Sequence, residues 1–122
     1  MKNISIIVRT KNEGKWISKC LKAVFQQEFK NFEVVVVDNG STDRTLSIAK
    51  KFPVKIVIHK GSNWLPGKAI NAGIKNATGK YVVMLSGHCV PTDNKWLSDL
   101  VAEIKKPSVA GVYGRQLPLP SS

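Results

Sequence analysis

Val34-Val35-Val36-Val37-Asp38-Asn39-Gly40-Ser41-Thr42-Asp43-Arg44-Thr45 compresses a strand, a polar turn and a helix start into one short stretch. Four successive β-branched residues with no polar alternation fit a strand covered on both faces of a sheet. Asp38 falls where that strand ends. In open α/β sheets, ligands bind outside the carboxyl ends of the strands. Gly40 permits a sharp turn. Ser41 or Thr42 can cap the following helix, with Asp43 in its first turn. Read alone, the stretch serves equally as a well-formed strand-to-helix loop, so its neighbours decide.

Working outward, the chain alternates between two kinds of apolar pattern. Ile4 to Val8 is a short β-branched run and a first strand. Trp16, Ile17, Cys20, Leu21, Val24 and Phe25 recur at helical spacing. After the valine strand, Leu46, Ile48, Ala49 and Phe52 mark a second helix stopped by Pro53. Lys55 to His59 is a third strand, and a loop over 60–65 leads to Pro66, well placed at a helix start. That third helix carries Ala69, Ile70, Gly73 and Ile74. Ala77-Thr78-Gly79 is a turn, and Tyr81 to Leu85 a fourth strand. Thr92 is expected to cap a fourth helix bearing Trp96, Leu97, Leu100, Val101 and Ile104, with Asp93 in its first turn. Val109 to Tyr113 reads as a fifth strand at the sheet edge. Strand and helix in alternation predict a three-layer α/β/α, Rossmann-like domain with a mainly parallel sheet ordered 3-2-1-4.

At 122 residues, 43% hydrophobic and 22% charged, the composition is that of one globular domain. No apolar run reaches the roughly 20 residues of a membrane-spanning helix. The N-terminus lacks a signal peptide's apolar region, so a cytoplasmic location is expected. Cys20 sits on an apolar helical stripe as a core residue, and Cys89 stands beside His88. Nineteen Lys and Arg against eight Asp and Glu give a net charge of +11. That favours phosphorylated ligands, polyanions or the anionic inner face of a membrane. The lysines are dispersed and no aromatic-basic repeat accompanies them, so nucleic acid is not the expected partner.

Three polar loops should meet above strands one and four: Arg9-Thr10-Lys11-Asn12-Glu13, Asp38 to Asp43, and Ser86-Gly87-His88-Cys89. No Gly-x-Gly-x-x-Gly or Walker lysine loop is present. The acidic pair that a response-regulator receiver would carry after strand one is replaced by Arg9 and Thr10.

The series Ile-Ile-Val-Arg-Thr-Lys-Asn-Glu, Val-Val-Val-Asp-Asn-Gly-Ser-Thr-Asp-Arg-Thr, Gly-Lys-Ala-Ile-Asn-Ala-Gly-Ile and Ala-Thr-Gly-Lys-Tyr-Val-Val-Met-Leu resembles the family 2 glycosyltransferases. The resemblance runs from about Ile4 to Tyr113 in matching order. It implies the GT-A, nucleotide-diphospho-sugar transferase fold and transfer of a glycosyl group from a nucleoside diphosphate sugar to a saccharide or lipid-linked acceptor in polysaccharide synthesis. By position it implies that Thr10 and Glu13 form the first nucleotide-contacting loop. Asp38 matches the acid that accepts the nucleobase N–H, while Ser41 and Asp43 shape that loop and can reach ribose or base. Lys68 matches a basic residue facing the diphosphate, with Asn71 as support.

Two departures qualify the resemblance. The family's usual Asp-x-Asp for Mn²⁺ or Mg²⁺ is replaced by Ser86, Gly87 and His88, which supply no carboxylate. His88 is then the one candidate metal ligand, or else contacts phosphate directly. No residue reads as a general base, and the chain stops shortly after Arg115, where the family's acceptor elements normally follow. Residues 1–115 are therefore expected to be the donor-binding domain of a longer enzyme, with 116–122 as a tail. The alternatives are a non-catalytic nucleotide-sugar module, or a basic surface acting through charge alone.

Overall fold

The β-branched runs become strands whose order is set by the helices between them. The computed structural model describes residues 3–59 and 66–106, apart from the side chains of residues 66, 67, 69 and 70. The elements run β1 (Ile4–Thr10), α1 (Ile17–Phe25), β2 (Phe32–Asp38), α2 (Thr45–Ala49), β3 (Lys55–Ile58), α3 (Pro66–Lys75), β4 (Tyr81–Ser86) and α4 (Trp96–Ile104). All strand pairs are parallel and the order is β3-β2-β1-β4, as the alternation of elements requires. The fifth strand expected at 109–113 and the tail lie outside the described residues.

Strand alternation sorts the core into two layers. Ile4, Ile6 and Val8 of β1 and Val34 and Val36 of β2 face α1, α2 and α4, where Ile17, Cys20, Leu21, Val24, Ala49, Leu97 and Val101 complete one cluster. Each fully buried Val, Ile or Leu contributes about 1.5–3 kcal/mol, so this face carries most of the stability. On the other face Ile7, Val35 and Val37 pack with Val57 and Ala77. There α3 lies so close that a Cβ at Gly73 would sit 2.6 Å from Ile7 Cγ2 and 2.9 Å from Val37 Cγ2. Past the reach of α3, Met84 of β4 is 57% exposed, as is much of Ile74 on α3, which was expected on its apolar stripe.

Two polar clamps fix the frame. Fully buried Gln27 donates to the Ala23 and Asp93 carbonyls at 3.0 and 2.7 Å and accepts from the Leu97 amide at 3.0 Å, tying α1 to the start of α4. At the amino ends of the strands, Glu33 accepts from Ser5 Oγ, the Thr78 amide and hydroxyl, and Lys55 Nζ. Desolvation pushes its carboxyl up, but these donors outweigh it and hold the pKa at about 2.

The helix starts differ from expectation. Neither Ser41 nor Thr42 caps α2, because both are drawn into contacts with Asp38 and Asn12. Asp43 precedes the helix, and its Oδ1 accepts the Thr45 amide at 2.9 Å. Likewise α4 begins at Trp96 rather than at Thr92, and Asp93 accepts the Lys95 amide at 2.9 Å from outside the helix.

Candidate functional site

The register of the central strand brings three loops together. Thr10 pairs with Asp38 across β1 and β2, and Arg9 pairs with Ser86 across β1 and β4. The loops that follow are therefore neighbours at the carboxyl edge of the sheet.

The Asp38 turn is wound around its own acid. Asp38 is fully buried. Its Oδ1 accepts from Thr10 Oγ1 at 2.9 Å and Ser41 Oγ at 2.5 Å. Its Oδ2 accepts from the Gly40 and Ser41 amides at 3.0 and 2.8 Å. Four protein donors thus meet one carboxylate, and Gly40 adopts φ 81° to complete the turn. The resemblance implies that this carboxylate accepts a nucleobase N–H; in this structure its oxygens meet these four protein donors. Its side chain continues the inward row of Val34 and Val36, so strand alternation turns it under the helices. The next residue has the acceptor without a partner: Asn39 Oδ1 is buried and unbonded. Such a group costs about 1–3 kcal/mol unless something pairs with it.

The first and second loops are stitched together. Asn12 Oδ1 accepts from the Thr42 and Asp43 amides at 2.8 and 3.3 Å, and the Asn12 amide donates to Ser41 Oγ at 2.9 Å. The Gly14 amide donates to Asp43 Oδ2 at 3.0 Å, and the Glu13 amide to Thr45 Oγ1 at 2.8 Å. The Thr45 hydroxyl also donates to Asp43. That hydroxyl outweighs the desolvation that pushes the other way and, with smaller help from the Thr45 and Gly14 amides, holds the Asp43 carboxyl below its ordinary range. Asn12 and fully buried Thr45 were not singled out from the sequence. The signal for Asn12 was its residue type, since its φ is 53° and Asn tolerates that region.

At the end of β4, His88 Nδ1 lies 2.9 Å from Ser86 Oγ and 3.1 Å from Glu13 Oε1. Gly87 is buried between the loops, with its amide donating to the Arg9 carbonyl at 2.9 Å. A Cβ there would meet Thr10 Cγ2 at 2.8 Å and Glu13 Cγ at 3.3 Å. Cys20 lies below, where burial, with Cys89 and Glu13 adding to it, pushes the thiol up to about 12. It is a core residue and no nucleophile at neutral pH.

Thr10, Glu13, Asp38, Ser41, Asp43, Ser86, Gly87 and His88 are therefore brought into one continuous set of contacts. Lys68 is not among them. It lines a cleft of about 360 Å³ with His59, Asn71, Ala72, Lys75 and Asn76, on the β3 side of α3.

A divalent cation of the kind the resemblance implies finds a poor ligand set here. Asp38 and Asp43 are taken up by protein donors, and Glu13 is engaged with His88. No cluster of three His, Cys, Asp or Glu with metal-holding geometry occurs among the described residues.

The glycosyl transferase family 2 model matches residues 5–118. The chain belongs to that family. A Methanococcus voltae dolichyl N-acetyl-alpha-D-glucosaminyl phosphate 3-beta-D-2,3-diacetamido-2,3-dideoxy-beta-D-glucuronosyltransferase is 36% identical over 93% of this chain and 39% of its own length. Among solved structures, Staphylococcus aureus TarS 1-349 in complex with UDP-GlcNAc superposes with a TM-score of 0.74 at 32% identity, covering 98% of this chain and 37% of that one. The mannosyltransferase PcManGT from Pyrobaculum calidifontis, in complex with GDP-Man and Mn²⁺, gives 0.78 at 26% identity over 88% and 33%. This chain thus spans less than half the length of these relatives. The parallel 3-2-1-4 sheet is the GT-A arrangement that its sequence resembles. Among the described residues, no helix is long and apolar enough to cross a membrane.

Proposed function

We propose that this chain is the donor-binding part of a family 2 glycosyltransferase. It takes a nucleoside diphosphate sugar into the crevice above β1 and β4 for transfer to a saccharide or lipid-linked acceptor in polysaccharide assembly. The observation that carries the reading is the joining of all three carboxyl-end loops through Thr10, Asn12, Glu13, Asp38 and His88, in a glycosyl transferase family 2 chain whose solved neighbours include complexes with UDP-GlcNAc and GDP-Man.

In this reading residues 1–115 are the donor unit. Asp38 shapes the turn against which the base lies, and Asn39 Oδ1, buried and unbonded, is an acceptor within that turn. The diphosphate then lies toward Ser86 and His88. Lys68, which lines the cleft with His59 and Lys75, adds to the positive field that attracts the diphosphate. The net charge of +11 supports contact with an anionic membrane surface while the acceptor is presented.

Calorimetry of the folded chain with UDP, GDP and their sugars tests this. Saturable binding of a nucleotide, weakened about tenfold by Asn39→Ala, is the expected outcome. Failure of every nucleotide to bind would refute it. A donor-consumption assay separates the catalytic reading from the module reading, since a binding module holds the nucleotide sugar without turnover.

A further inference from the structure

We infer that Arg9 binds the diphosphate of the nucleotide sugar, with its guanidinium on the α3 face of β1 beside Ser86. The inference rests on the donor-site reading above and adds a phosphate-binding residue to it.

Period-two alternation divides β1 between the two layers of the core. Ile4, Ile6 and Val8 pack in the α1 layer, whereas Ile7 packs in the α3 layer, so Arg9 continues the row of Ile7. The neighbouring strands end that row in polar residues. Asn39 follows Val35 and Val37 at the end of β2, and Ser86 is the register partner of Arg9 on β4. Helix α3 crosses this face over Ile7 and Val37 at Gly73, and its preceding turns run back towards the carboxyl edge. Among the described residues, two buried side-chain atoms lack a hydrogen-bond partner, Arg9 Nε and Asn39 Oδ1. Both belong to this row. Three ion pairs occur among the described residues, and none includes Arg9. A strand-end arginine that served only solubility would keep its charged head in water. Here Nε has left water with nothing to accept its hydrogen.

An anion completes Arg9. A guanidinium stays charged throughout the working pH range and carries donors only, so the unpaired Nε–H calls for an acceptor and the charge for a negative one. Taking such a group out of water is unfavourable unless it is paired. Phosphate fits, because two of its oxygens match the planar fork of Nε and Nη. The crevice carboxylates do not compete for it. Asp38 is turned to Thr10, Gly40 and Ser41, and Asp43 to Gly14 and Thr45. The order of groups along the edge also follows a nucleotide. Asn39, past β2, offers an acceptor to the base, Arg9 on β1 offers donors in the middle, and Ser86 on β4 offers a hydroxyl. β2 and β4 flank β1, so these groups span two strand spacings, about 10 Å. The base then lies at β2 and the diphosphate at β1 and β4. Lys68 and the net charge of +11 draw the anion in, and Arg9 fixes where it rests.

The test titrates the whole chain with UDP, UMP and uridine, and with GDP, GMP and guanosine, by calorimetry and NMR shifts. Arg9→Gln is expected to weaken the diphosphate about tenfold and to leave the nucleoside within about twofold. Arg9→Lys, which keeps the charge without the fork, is expected to fall between. Thermal melts without ligand establish that each variant is folded. Should Arg9→Gln not fold, the unsubstituted chain still decides, because it has only Arg9, Arg44 and Arg115 to assign in ¹⁵N spectra. The Arg9 Nε–H resonance is expected to shift with the diphosphate and to stay in place with the nucleoside. Unchanged diphosphate affinity in both variants, or an Nε–H resonance unmoved by bound diphosphate, would overturn the inference and leave the donor site standing. Equal losses for nucleoside and diphosphate would assign Arg9 to the base and overturn it as well. If no nucleotide binds the unsubstituted chain, the donor reading and this one fall together.

Discussion

Asn12 holds a left-handed backbone at φ 53° while its side-chain oxygen accepts from the Thr42 and Asp43 amides, joining the first loop to the second. Asn12→Ala removes the acceptor and puts a residue in that region that tolerates it poorly, costing about 2 kcal/mol. Asn12→Gly relieves the backbone but not the lost acceptor. It should therefore recover part of the stability in urea melts and none of the nucleotide affinity. Glu33 sits at the opposite end of the strands, away from any chemistry, and its pKa is lowered from 4.5 to about 2 by Ser5, Thr78 and Lys55 against desolvation. Because the folded value is the depressed one, its contribution is complete above about pH 4.5 and is lost as pH falls towards about 2. After allowing for solvent screening, Glu33→Gln should cost about 1–2 kcal/mol at neutral pH. The variant should also show a shallower loss of stability between those two pH values, read from urea midpoints across the acid range.

Elements were legible where one force dominated. The runs Ile4 to Val8 and Val34 to Val37 could be little else than buried parallel strands, and the stripe from Trp16 to Phe25 only a helix against them. Helix starts were less legible, because several short polar residues compete to cap. Ser41 is captured by Asp38, and Asp43 by Thr45, before either can cap α2 from within. Gln27 gave no sequence signal, since a lone glutamine after an apolar helix reads as solvated. Its amide nevertheless replaces backbone partners for Asp93 and Leu97. Gln27→Leu keeps the volume but leaves that amide and carbonyl without partners, so a loss of about 2–3 kcal/mol is expected. A thermal melt showing no shift would mean that water replaces the side chain there.

At the scale of the molecule, the sheet order and the meeting of three loops could be read from the alternation of strands and helices. The roles within the site could not all be read that way. The motif matches Asp38 to a base acceptor, whereas period-two alternation turns its side chain inward with Val36, and Asn39 follows it with an unbonded acceptor. The motif matches Lys68 to the diphosphate, and the structure adds that it lines a cleft with His59 and Lys75. His88 was the departure from the family pattern, and its partner Glu13 lies far away in sequence, in contact only because Arg9 registers with Ser86. The most direct test of the account is a structure of the chain with UDP or GDP bound. The account predicts the base against the Asp38 to Ser41 turn and the diphosphate beside His88. A nucleotide seated instead in the Lys68 cleft would contradict it.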